Sequence, residues 1–299
     1  MRRILVIVLN HNKKDLVLDC LASLEQHAQG GDDIRILIFD NASQDGSQAA
    51  IRAGYPDFEL VCSDLNLGAI GGRNAAVAHA ARSARSDYIL FLDDDAEIMA
   101  GSIQLLAEAL ETDPTLGLAC GKTYIGAGSD ILMSTGITAK LHLGICRDRG
   151  AGEKDTGQYD RDDDVDACGS FAFMVRASIF DALGGFDPVY SPYGWEDVDF
   201  CLRARRGGHR VRYVHRAIFA HKGTRMGRRP RAGYERNKAR NFVTLLTRHT
   251  TPIEKLVAAI FVPLAALRLF ARFVTNGDWR MIPAQIGGLA EHLDRRRKR

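Results

Sequence analysis

The chain has 299 residues, of which 46% are hydrophobic and 26% are charged. This length allows one large domain or two small ones, and the composition excludes a small disulfide scaffold, a wholly disordered chain and a multi-span membrane protein. The net charge of +3 conceals an asymmetry, because residues 1–200 carry 16 basic and 32 acidic side chains whereas residues 201–299 carry 24 and 5. An acidic body is followed by a basic tail, which indicates an anionic partner: nucleic acid, a membrane face or a phosphorylated substrate.

Residues 1–110 alternate short apolar runs with stretches of helical periodicity. Strands are predicted at residues 4–9, 34–39, 58–62 and 88–92, and helices near residues 16–24, 45–53, 72–84 and 103–110. Strands that are apolar throughout and separated by helices indicate a mostly parallel sheet that is covered on both faces and joined by right-handed crossovers. The predicted fold class is therefore α/β.

The pattern changes after residue 112. Residues 112–165 are rich in glycine and polar side chains, which predicts β-hairpins and loops over the sheet and not a separate domain. Helices are then predicted at residues 178–184, 196–206 and 234–249, with a strand at 209–214. The apolar run at 256–267 contains Pro263 and is shorter than the ~20 residues that cross a bilayer, so we expect an interfacial or packed helix there.

Two features bear on the compartment. The six cysteines lie far apart and include no Cys-x-x-Cys pair, which argues against a structural zinc site and for reduced thiols. The apolar run at residues 4–9 is too short for the core of a signal peptide. We therefore predict a cytoplasmic protein.

Polar side chains directly follow three of the predicted strands. In an open parallel sheet, ligands bind beyond the carboxyl ends of the strands, so these side chains are expected to converge at one edge. Helix capping is an equally good explanation for Asp40 alone. The candidates for binding a ligand at this edge are Asn10, Asp40, Asn41, Asp93, Asp94 and Asp95.

The three consecutive aspartates at 93–95 need a further explanation. Adjacent carboxylates raise one another's pKa and cost stability unless a cation lies among them. Oxygen ligands suit a hard divalent ion such as Mg²⁺ or Mn²⁺, which would keep waters and be completed by substrate phosphates. A solvated turn is the alternative, but the sequence favours a metal site for a diphosphate-bearing ligand.

Residues 66–74 form a glycine-rich segment that runs into a helix. Glycines allow the backbone to approach a ligand, and a helix N-terminus with Arg73 favours an anion. The segment is neither a P-loop nor the dinucleotide-binding fingerprint, so its pattern alone is weak.

A second acidic cluster opens the helix predicted at 196–206. Glu196 and Asp197 follow Tyr193 and Trp195, whose rings suit the face of a sugar. Carboxylates in a first helical turn are also stabilised by the helix dipole, which is the structural alternative. We rank Asp197 as a general base that takes a proton from an acceptor hydroxyl, and Glu196 as an acceptor-orienting group or the alternative base.

His221 ends an apolar run and precedes a basic loop. A histidine at the end of a strand is more often structural than a ligand. The adjacent Lys222 and Arg225 would suit a departing diphosphate.

Taken together, the motifs resemble a known enzyme family. They are DNAS at 40–43, NLGAIGGRN at 66–74, DDD at 93–95, GGFD at 184–187 and WEDVDFCLR at 195–203. In this order they resemble the family 2 inverting glycosyltransferases of the GT-A fold, and the chain is most similar to the rhamnosyltransferase-type members that build bacterial polysaccharides. The resemblance spans about residues 3–225.

This resemblance implies a role for each motif. Asp40 would hold the base or ribose of a nucleotide sugar, and Arg73 would lie near the nucleobase or phosphates. Residues 93–95 would be the Asp-x-Asp motif, with Asp95 on the metal and His221 closing the metal or diphosphate site. Asp197 would be the catalytic base. The family usually has an aromatic residue where this chain has Ala69-Ile70, which puts the donor preference in doubt.

The resemblance also implies the architecture and the reaction. A GT-A domain with a Rossmann-like, mostly parallel sheet flanked by helices would cover residues 1–225, with the nucleotide sugar bound by about 1–110 and the acceptor by about 111–225. A basic, partly apolar helical extension would cover 226–299. The enzyme would be a hexosyltransferase that moves a sugar from a nucleotide-diphosphate donor to a hydroxyl of a glycan or lipid-linked acceptor. The reaction would be a metal-assisted single displacement in polysaccharide or cell-wall assembly.

Two other functions fit parts of the sequence less well. A sugar-phosphate nucleotidyltransferase would have a basic glycine-rich loop after the first strand, where this chain has NHNKK at 10–14. A nucleic-acid or membrane-binding module would rest on the basic tail, but residues 93–95 would repel a polyanion, so no nucleic acid is expected.

We assign the tail a supporting role, because its cations and apolar helix could hold the enzyme on the anionic inner face of the plasma membrane. A helix packed on the catalytic domain is the equal alternative. The cations of this set are Arg228, Arg229, Arg231, Arg236, Lys238, Arg240 and the cluster at 295–299.

Overall fold

The structure, a computed structural model, describes residues 1–28, 30–222 and 231–297, and side chains as far as residue 292. Three predicted features fall outside the described residues or side chains: Arg225, the pair Arg228 and Arg229, and the cluster at 295–299.

Twelve strands lie within the described residues. They are β1 (Arg3–Asn10), β2 (Asp33–Asp40), β3 (Glu59–Cys62), β4 (Tyr88–Asp93), β5 (Ala96–Ile98), β6 (Leu116–Tyr124), β7 (Leu132–Ser134), β8 (Ile137–Lys140), β9 (Ile145–Asp148), β10 (Asp163–Asp164), β11 (Ala172–Arg176) and β12 (Arg210–His221). Ten of them form one sheet whose main order is β10-β12-β6-β11-β4-β1-β2-β3, and β8 and β9 form a separate hairpin.

The helices of the described chain cover both faces of this sheet and continue beyond it. They are α1 (Lys14–His27), α2 (Ser47–Gly54), α3 (Gly68–Ala80), α4 (Ser102–Thr112), α5 (Ala177–Ala182), α6 (Glu196–Arg206), α7 (Ala232–His249), α8 (Pro252–Thr275) and α9 (Met281–Arg297). The last three form the C-terminal helical part. The architecture confirms the predicted α/β fold with a mostly parallel sheet.

The continuous apolar strands arise because the sheet is buried on both faces. In β1, Leu5 and Ile7 face one core layer, whereas Ile4, Val6 and Val8 face the other. Strands β1, β2, β3 and β4 pair in parallel, with Asn10 opposite Asp40 and Leu9 opposite Asp93. In this register, the polar residues that end β1, β2 and β4 lie side by side at one edge of the sheet.

Two central strands of the sheet were not predicted. Residues 116–124 form β6, a buried central strand, so the expectation of hairpins and loops over 112–165 is wrong for its first part. Strand β11 lies between β4 and β6 and is antiparallel to both. Its side chains alternate between the two core layers, so both of its faces are apolar. The sequence therefore lacks the alternation of polar and apolar residues that marks a half-exposed strand.

Other boundaries also differ from the predictions. Helix α3 begins at Gly68, so most of the predicted glycine-rich segment is helical. Strand β12 runs as far as His221, through an irregularity in its pairing after Val214. Helix α8 has 24 residues, twice the apolar run that predicted it. By length and composition it could cross a membrane, so the prediction that the segment is too short was wrong.

An aromatic cluster fixes α5 and α6 against the sheet. Phe91 of β4 contacts Phe186 with ring centroids 5.1 Å apart, and Phe186 contacts Phe200 of α6 at 5.2 Å. All three side chains are fully buried. The N-terminus of α6 is thereby held near the carboxyl end of β4.

Candidate active site

The acidic turn (residues 93–95) lies where β4 ends. Asp93 is the last residue of β4, and Ala96 of β5 pairs with His221 at the end of β12. The backbone N–H of Lys222 donates to the Asp95 carbonyl at 2.8 Å. This antiparallel pairing brings an imidazole from far along the chain to the acidic turn.

Asp93, Asp95 and His221 form a group that could hold a metal ion. One ligand atom from each lies within 4.8 Å of the others, and His221 Nε2 is 3.1 Å from Asp95 Oδ1 and 3.6 Å from Asp93 Oδ2. Within the described residues, His221 Nδ1 is buried without a hydrogen-bond partner, and the buried Asp95 Oδ1 has only its ion-pair contact with His221. Two carboxylates and an imidazole suit Mn²⁺ and tolerate Mg²⁺. These side chains therefore fit a divalent cation.

Lys13 contacts the same turn and was missed by the sequence analysis. Its ammonium lies 2.7 Å from Asp94 Oδ1 and 2.8 Å from Asp95 Oδ2. Burial, followed by the charge of Asp95, raises the pKa of Asp94 to about 7 although Lys13 opposes the shift. A lysine three residues beyond the end of β1 was the available signal, since that strand end was already expected to meet residues 93–95.

Arg73 connects the two acidic clusters. Its guanidinium is buried and lies 2.5 Å from Asp93 Oδ1 and 3.5 Å from Glu196 Oε1. Burial alone would raise the pKa of Asp93, but the charge of Arg73 and the contact with His221 outweigh it and lower that pKa. Arg73 therefore holds the acidic turn beside the start of α6.

A backbone segment makes the same connection. The N–H of Ser170 donates to Asp197 Oδ2 at 3.0 Å, and the carbonyl of Phe171 accepts from the Asp93 N–H at 3.0 Å. Consecutive Cα atoms are about 3.8 Å apart, so Asp93 and Asp197 must lie close together. The Phe171 ring also packs edge-on against His221 at 5.5 Å.

The two carboxylates that open α6 differ in their surroundings. Glu196 is buried and accepts from the Gly194 N–H at 2.5 Å, and burial together with the charge of Asp197 raises its pKa to about 7. Asp197 is partly exposed and also accepts from the Val198 N–H at 2.8 Å. Burial raises the pKa of Asp197, although its two backbone hydrogen bonds oppose the shift.

The aromatic turn (residues 190–195) precedes α6 and packs on α7. Tyr193 stacks on Tyr234 with centroids 5.6 Å apart, and Trp195 Nε1 donates to the Lys238 carbonyl at 3.0 Å. Trp195 has a φ of +69°, a left-handed conformation that a bulky residue adopts only where its surroundings enforce it. Both predicted acceptor residues are partly exposed beside Asp197.

Helix α7 also changes the interpretation of the basic tail. Arg240 is buried and donates to the Ser191 carbonyl at 2.5 Å, and the Lys238 ammonium lies 4.3 Å from the centre of the Trp195 ring. The assignment of Arg240 to a membrane-facing set is wrong, because its side chain is buried, while the half-buried Lys238 lies on the aromatic turn.

The predicted nucleotide-binding residues at the ends of β1 and β2 are buried. Asp40 accepts from Asn10 Nδ2 at 2.7 Å, from the Ser43 N–H at 2.9 Å and from Gln48 Nε2 at 2.7 Å. Asn41 accepts from the Leu67 N–H at 2.8 Å. These bonds fix the loops that follow β1 and β2 at the edge of the sheet. Direct contact of these residues with a nucleotide stays a prediction.

The start of α3 packs on the aromatic turn. Gly68 has a φ of +73°, and a Cβ there would lie 3.1 Å from the Pro192 carbonyl oxygen. The Ala69 N–H donates to that same oxygen at 3.1 Å. Glycine at 68 thus serves a close backbone contact within the protein.

Comparison with known proteins gives a family and a fold. The model of the family described as "Glycosyl transferase family 2" matches residues 5–184. The chain is 27% identical over 237 residues to an N-acetylglucosaminyl-diphospho-decaprenol L-rhamnosyltransferase of Mycobacterium tuberculosis, covering 73% of this chain and 76% of that relative. It is 25% identical over 195 residues to a pre-mycofactocin glycosyltransferase of the same organism, covering 63% of this chain and 37% of that relative.

Two solved structures share the fold. The mannosyltransferase PcManGT from Pyrobaculum calidifontis, in complex with GDP-Man and Mn²⁺, has a TM-score of 0.61 and 16% identity, covering 98% of this chain and 87% of that chain. Residues 1–349 of TarS from S. aureus, in complex with UDP, have a TM-score of 0.59 and 15% identity, covering 92% and 74%.

Proposed function

The chain belongs to glycosyl transferase family 2 and is a glycosyltransferase, and we propose that it transfers a hexose from a nucleotide-diphosphate donor to an acceptor hydroxyl in one inverting, metal-assisted displacement. The observation that carries this proposal is the juxtaposition of the two acidic clusters. Residues 170 and 171 contact Asp197 and Asp93 respectively, and Arg73 contacts both Asp93 and Glu196.

The acidic turn is assigned to the donor. Asp93, Asp95 and His221 would hold the divalent cation, which when bound neutralises the donor diphosphate. Lys13 would add positive charge at the same edge. The nucleoside would be positioned by Asn10, Asp40 and Asn41, either directly or through the loops after β1 and β2 that these residues hold in place.

The start of α6 is assigned to the acceptor. Asp197 would take the proton of the acceptor hydroxyl while that oxygen forms a bond to the anomeric carbon. The bond from this carbon to the diphosphate oxygen breaks at the same time, and the diphosphate leaves with the electron pair. Charge develops toward an oxocarbenium ion in such a transfer, so a carboxylate facing one side and a neutralised diphosphate on the other both lower the barrier. Glu196, which Arg73 contacts, would orient the acceptor or serve as the alternative base.

Transfer assays test this assignment. Thermal shifts with UDP, GDP and dTDP, each with and without Mn²⁺, identify the nucleotide, and rhamnose is the first donor sugar to test because of the rhamnosyltransferase relative. We expect Asp197→Asn to abolish transfer and to keep nucleotide binding, while the matched exposed variant Asp181→Asn keeps both. Transfer by Asp197→Asn at the native rate, or a product with retained anomeric configuration by NMR, contradicts the proposal.

The acceptor is proposed to be lipid-linked and reached at the cytoplasmic face of a membrane. The name of the rhamnosyltransferase relative supports the first part. Helix α8 supports the second, because its 18-residue apolar window has a mean hydropathy of 2.0 and only 11% of it is buried. Exposed Arg268 and Arg272 lie on the same helix and complement anionic lipid.

Vesicle flotation tests membrane binding. Leu256 of α8 is 73% exposed and Leu65, remote in sequence, is 70% exposed, so the two make a matched pair. We expect the native protein to float with phosphatidylglycerol vesicles, Leu256→Gln combined with Ile260→Gln to weaken flotation severalfold, and Leu65→Gln to leave it unchanged. Equal flotation of all three proteins contradicts a membrane role for α8.

A further inference from the structure

A positive charge on α7 lies at the aromatic turn, near Asp197 and Asp148 but not in an ion pair with either. The Lys238 ammonium is 4.3 Å from the centre of the Trp195 ring and 5.3 Å from that of Tyr234. Other basic side chains of α7 have carboxylate partners, since Arg236 lies 3.0 Å from Glu291 and Arg248 lies 2.5 Å from Asp187. Among the described residues, no carboxylate lies within ion-pair distance of Lys238.

The position of Lys238 is fixed by contacts on both sides of it. The Lys238 carbonyl accepts from Trp195 Nε1 at 3.0 Å, and its Cγ packs beside Gly194. One turn later, Asn241 Nδ2 donates to the Tyr190 carbonyl at 2.7 Å and to the Tyr193 carbonyl at 3.0 Å. The aromatic turn and α7 therefore form one unit that holds the ammonium in place.

The hairpin of β8 and β9 adds polar groups nearby. The charges of Asp148, at the end of β9, and Asp197 each raise the pKa of Cys146, whereas that of Lys238 lowers it, so all three lie near this thiol. Burial is the main cause of the raised Cys146 pKa. Within the described chain, Asp148 Oδ1 is buried and accepts no hydrogen bond. Asp148 is thus a buried carboxyl near Asp197 and Lys238.

We propose that Lys238 binds a phosphate group of the acceptor, so that the acceptor is a sugar attached to a phosphate or diphosphate. The sugar would lie on Tyr193 and Trp195 with one hydroxyl at Asp197, and the phosphate would contact the ammonium. Cation–π contacts leave the charge of a lysine in place, so the aromatic rings position it without neutralising it. This inference rests on the proposed function, because it names the substrate class of that same site.

The charge of Lys238 is placed on the acceptor side and away from the donor. Its contacts are with Trp195, Gly194 and Tyr234, all on the aromatic turn or α7. The acidic turn has its own cations in Lys13 and Arg73. A donor diphosphate would therefore be neutralised without Lys238.

Binding measurements with two probes test the inference. The probes are N-acetylglucosaminyl diphosphofarnesol and octyl N-acetylglucosaminide, which share a sugar and differ in the diphosphate. We expect the native protein to bind the first probe more tightly, and Lys238→Ala to weaken it about tenfold while binding of the second is unchanged, since a charge-assisted contact has about this value. Lys238→Arg should restore most of the loss. Arg236→Ala, on the exposed side of α7, is the matched control and should alter neither affinity.

Each other outcome overturns the inference. No difference between the probes in the native protein, or equal weakening of both in Lys238→Ala, removes the phosphate contact. Weakened binding of the nucleotide diphosphate in Lys238→Ala would assign the lysine to the donor, and weakened flotation with phosphatidylglycerol vesicles would assign it to a lipid headgroup. If the native protein binds no nucleotide diphosphate at all, the proposed function fails, whereas normal nucleotide binding with an inert Lys238 defeats this inference alone.

Discussion

The acidic turn and the aromatic turn are built in different ways. The acidic turn ends a strand, and the parallel register of β1, β2 and β4 places it level with Asn10 and Asp40. The aromatic turn is held by α7, chiefly through the Asn241 side chain and the hydrogen bond from Trp195 Nε1 to the Lys238 carbonyl. Backbone pairing thus positions one half of the site, and a few polar side-chain contacts position the other.

This difference predicts that single substitutions affect the two halves differently. A side chain on the acidic turn can be changed without moving the strand that carries it, so activity should fall while stability is kept. A side chain that holds the aromatic turn should affect stability and acceptor affinity together.

The largest effect is expected at the proposed metal ligand Asp95. Asp95→Asn removes a buried carboxylate oxygen from the group formed with Asp93 and His221. We expect kcat to fall about a hundredfold or more, because stabilisation of the leaving diphosphate is lost. Asp87→Asn, at the opposite end of β4 and paired with Arg3, should leave kcat unchanged. Full activity of the native enzyme in excess chelator would contradict the role given to Asp95.

Arg73→Gln tests the connection between the two halves. The guanidinium is buried between Asp93 and Glu196, so its removal leaves two carboxylates without their cation. We expect the free energy of unfolding to fall by about 3 kcal/mol. Arg35→Gln breaks the half-exposed pair with Glu59 and should cost less than about 1 kcal/mol in the same urea titration. Equal losses of unfolding free energy in the two variants would mean that the contacts of Arg73 with Asp93 and Glu196 are no stronger than a surface ion pair.

Asn241→Ala tests how the aromatic turn is held. Its amide donates to the carbonyls of Tyr190, Tyr193 and Gly194, which would lose their partner. We expect a loss of about 2 kcal/mol in unfolding free energy and a raised KM for the acceptor, with the donor KM unchanged. Asn237→Ala, one turn earlier on α7, should change stability by less than about 0.5 kcal/mol. A change in the donor KM alone would mean that α7 supports binding of the donor and not of the acceptor.

The same contrast explains what the sequence could reveal. Strand ends in a parallel sheet converge by topology, so Asp93, Asp95 and Asn10 could be placed together from periodicity alone. His221 followed from the family resemblance. Lys238 could not be placed, because its position depends on how α7 docks through Asn241, and a helical pattern shows no docking partner.

The errors have the same physical origin. Strand β11 and the first part of the region after residue 112 were missed because buried strands carry no alternating pattern. The arginines and lysines of the tail were treated as one surface, whereas Arg240 is buried in the structure. Charge counts along the chain describe its composition and leave open which side chains face inward.

The smallest effect concerns pH. Asp199 and His249 form a buried pair at 2.8 Å that ties α6 to α7, and Arg203 and the Tyr190 hydroxyl also contact the Asp199 carboxylate. Burial would raise the pKa of Asp199, but His249 and Arg203 outweigh it and lower that pKa. A carboxylate with a lowered folded-state pKa contributes stability above its unfolded pKa of about 4 and loses it as the pH falls through the folded value.

We therefore expect the free energy of unfolding to decrease between pH 6 and pH 3 by about 1 kcal/mol more in the native protein than in Asp199→Asn, measured by urea titration at each pH. The matched variant Asp187→Asn removes the more exposed ion pair with Arg248 and should follow the native curve closely. If Asp199→Asn keeps the full acid sensitivity, the contact between α6 and α7 does not depend on this carboxylate. The aromatic turn would then be held by its contacts with Asn241, Arg240 and Tyr234, none of which involves an acidic side chain.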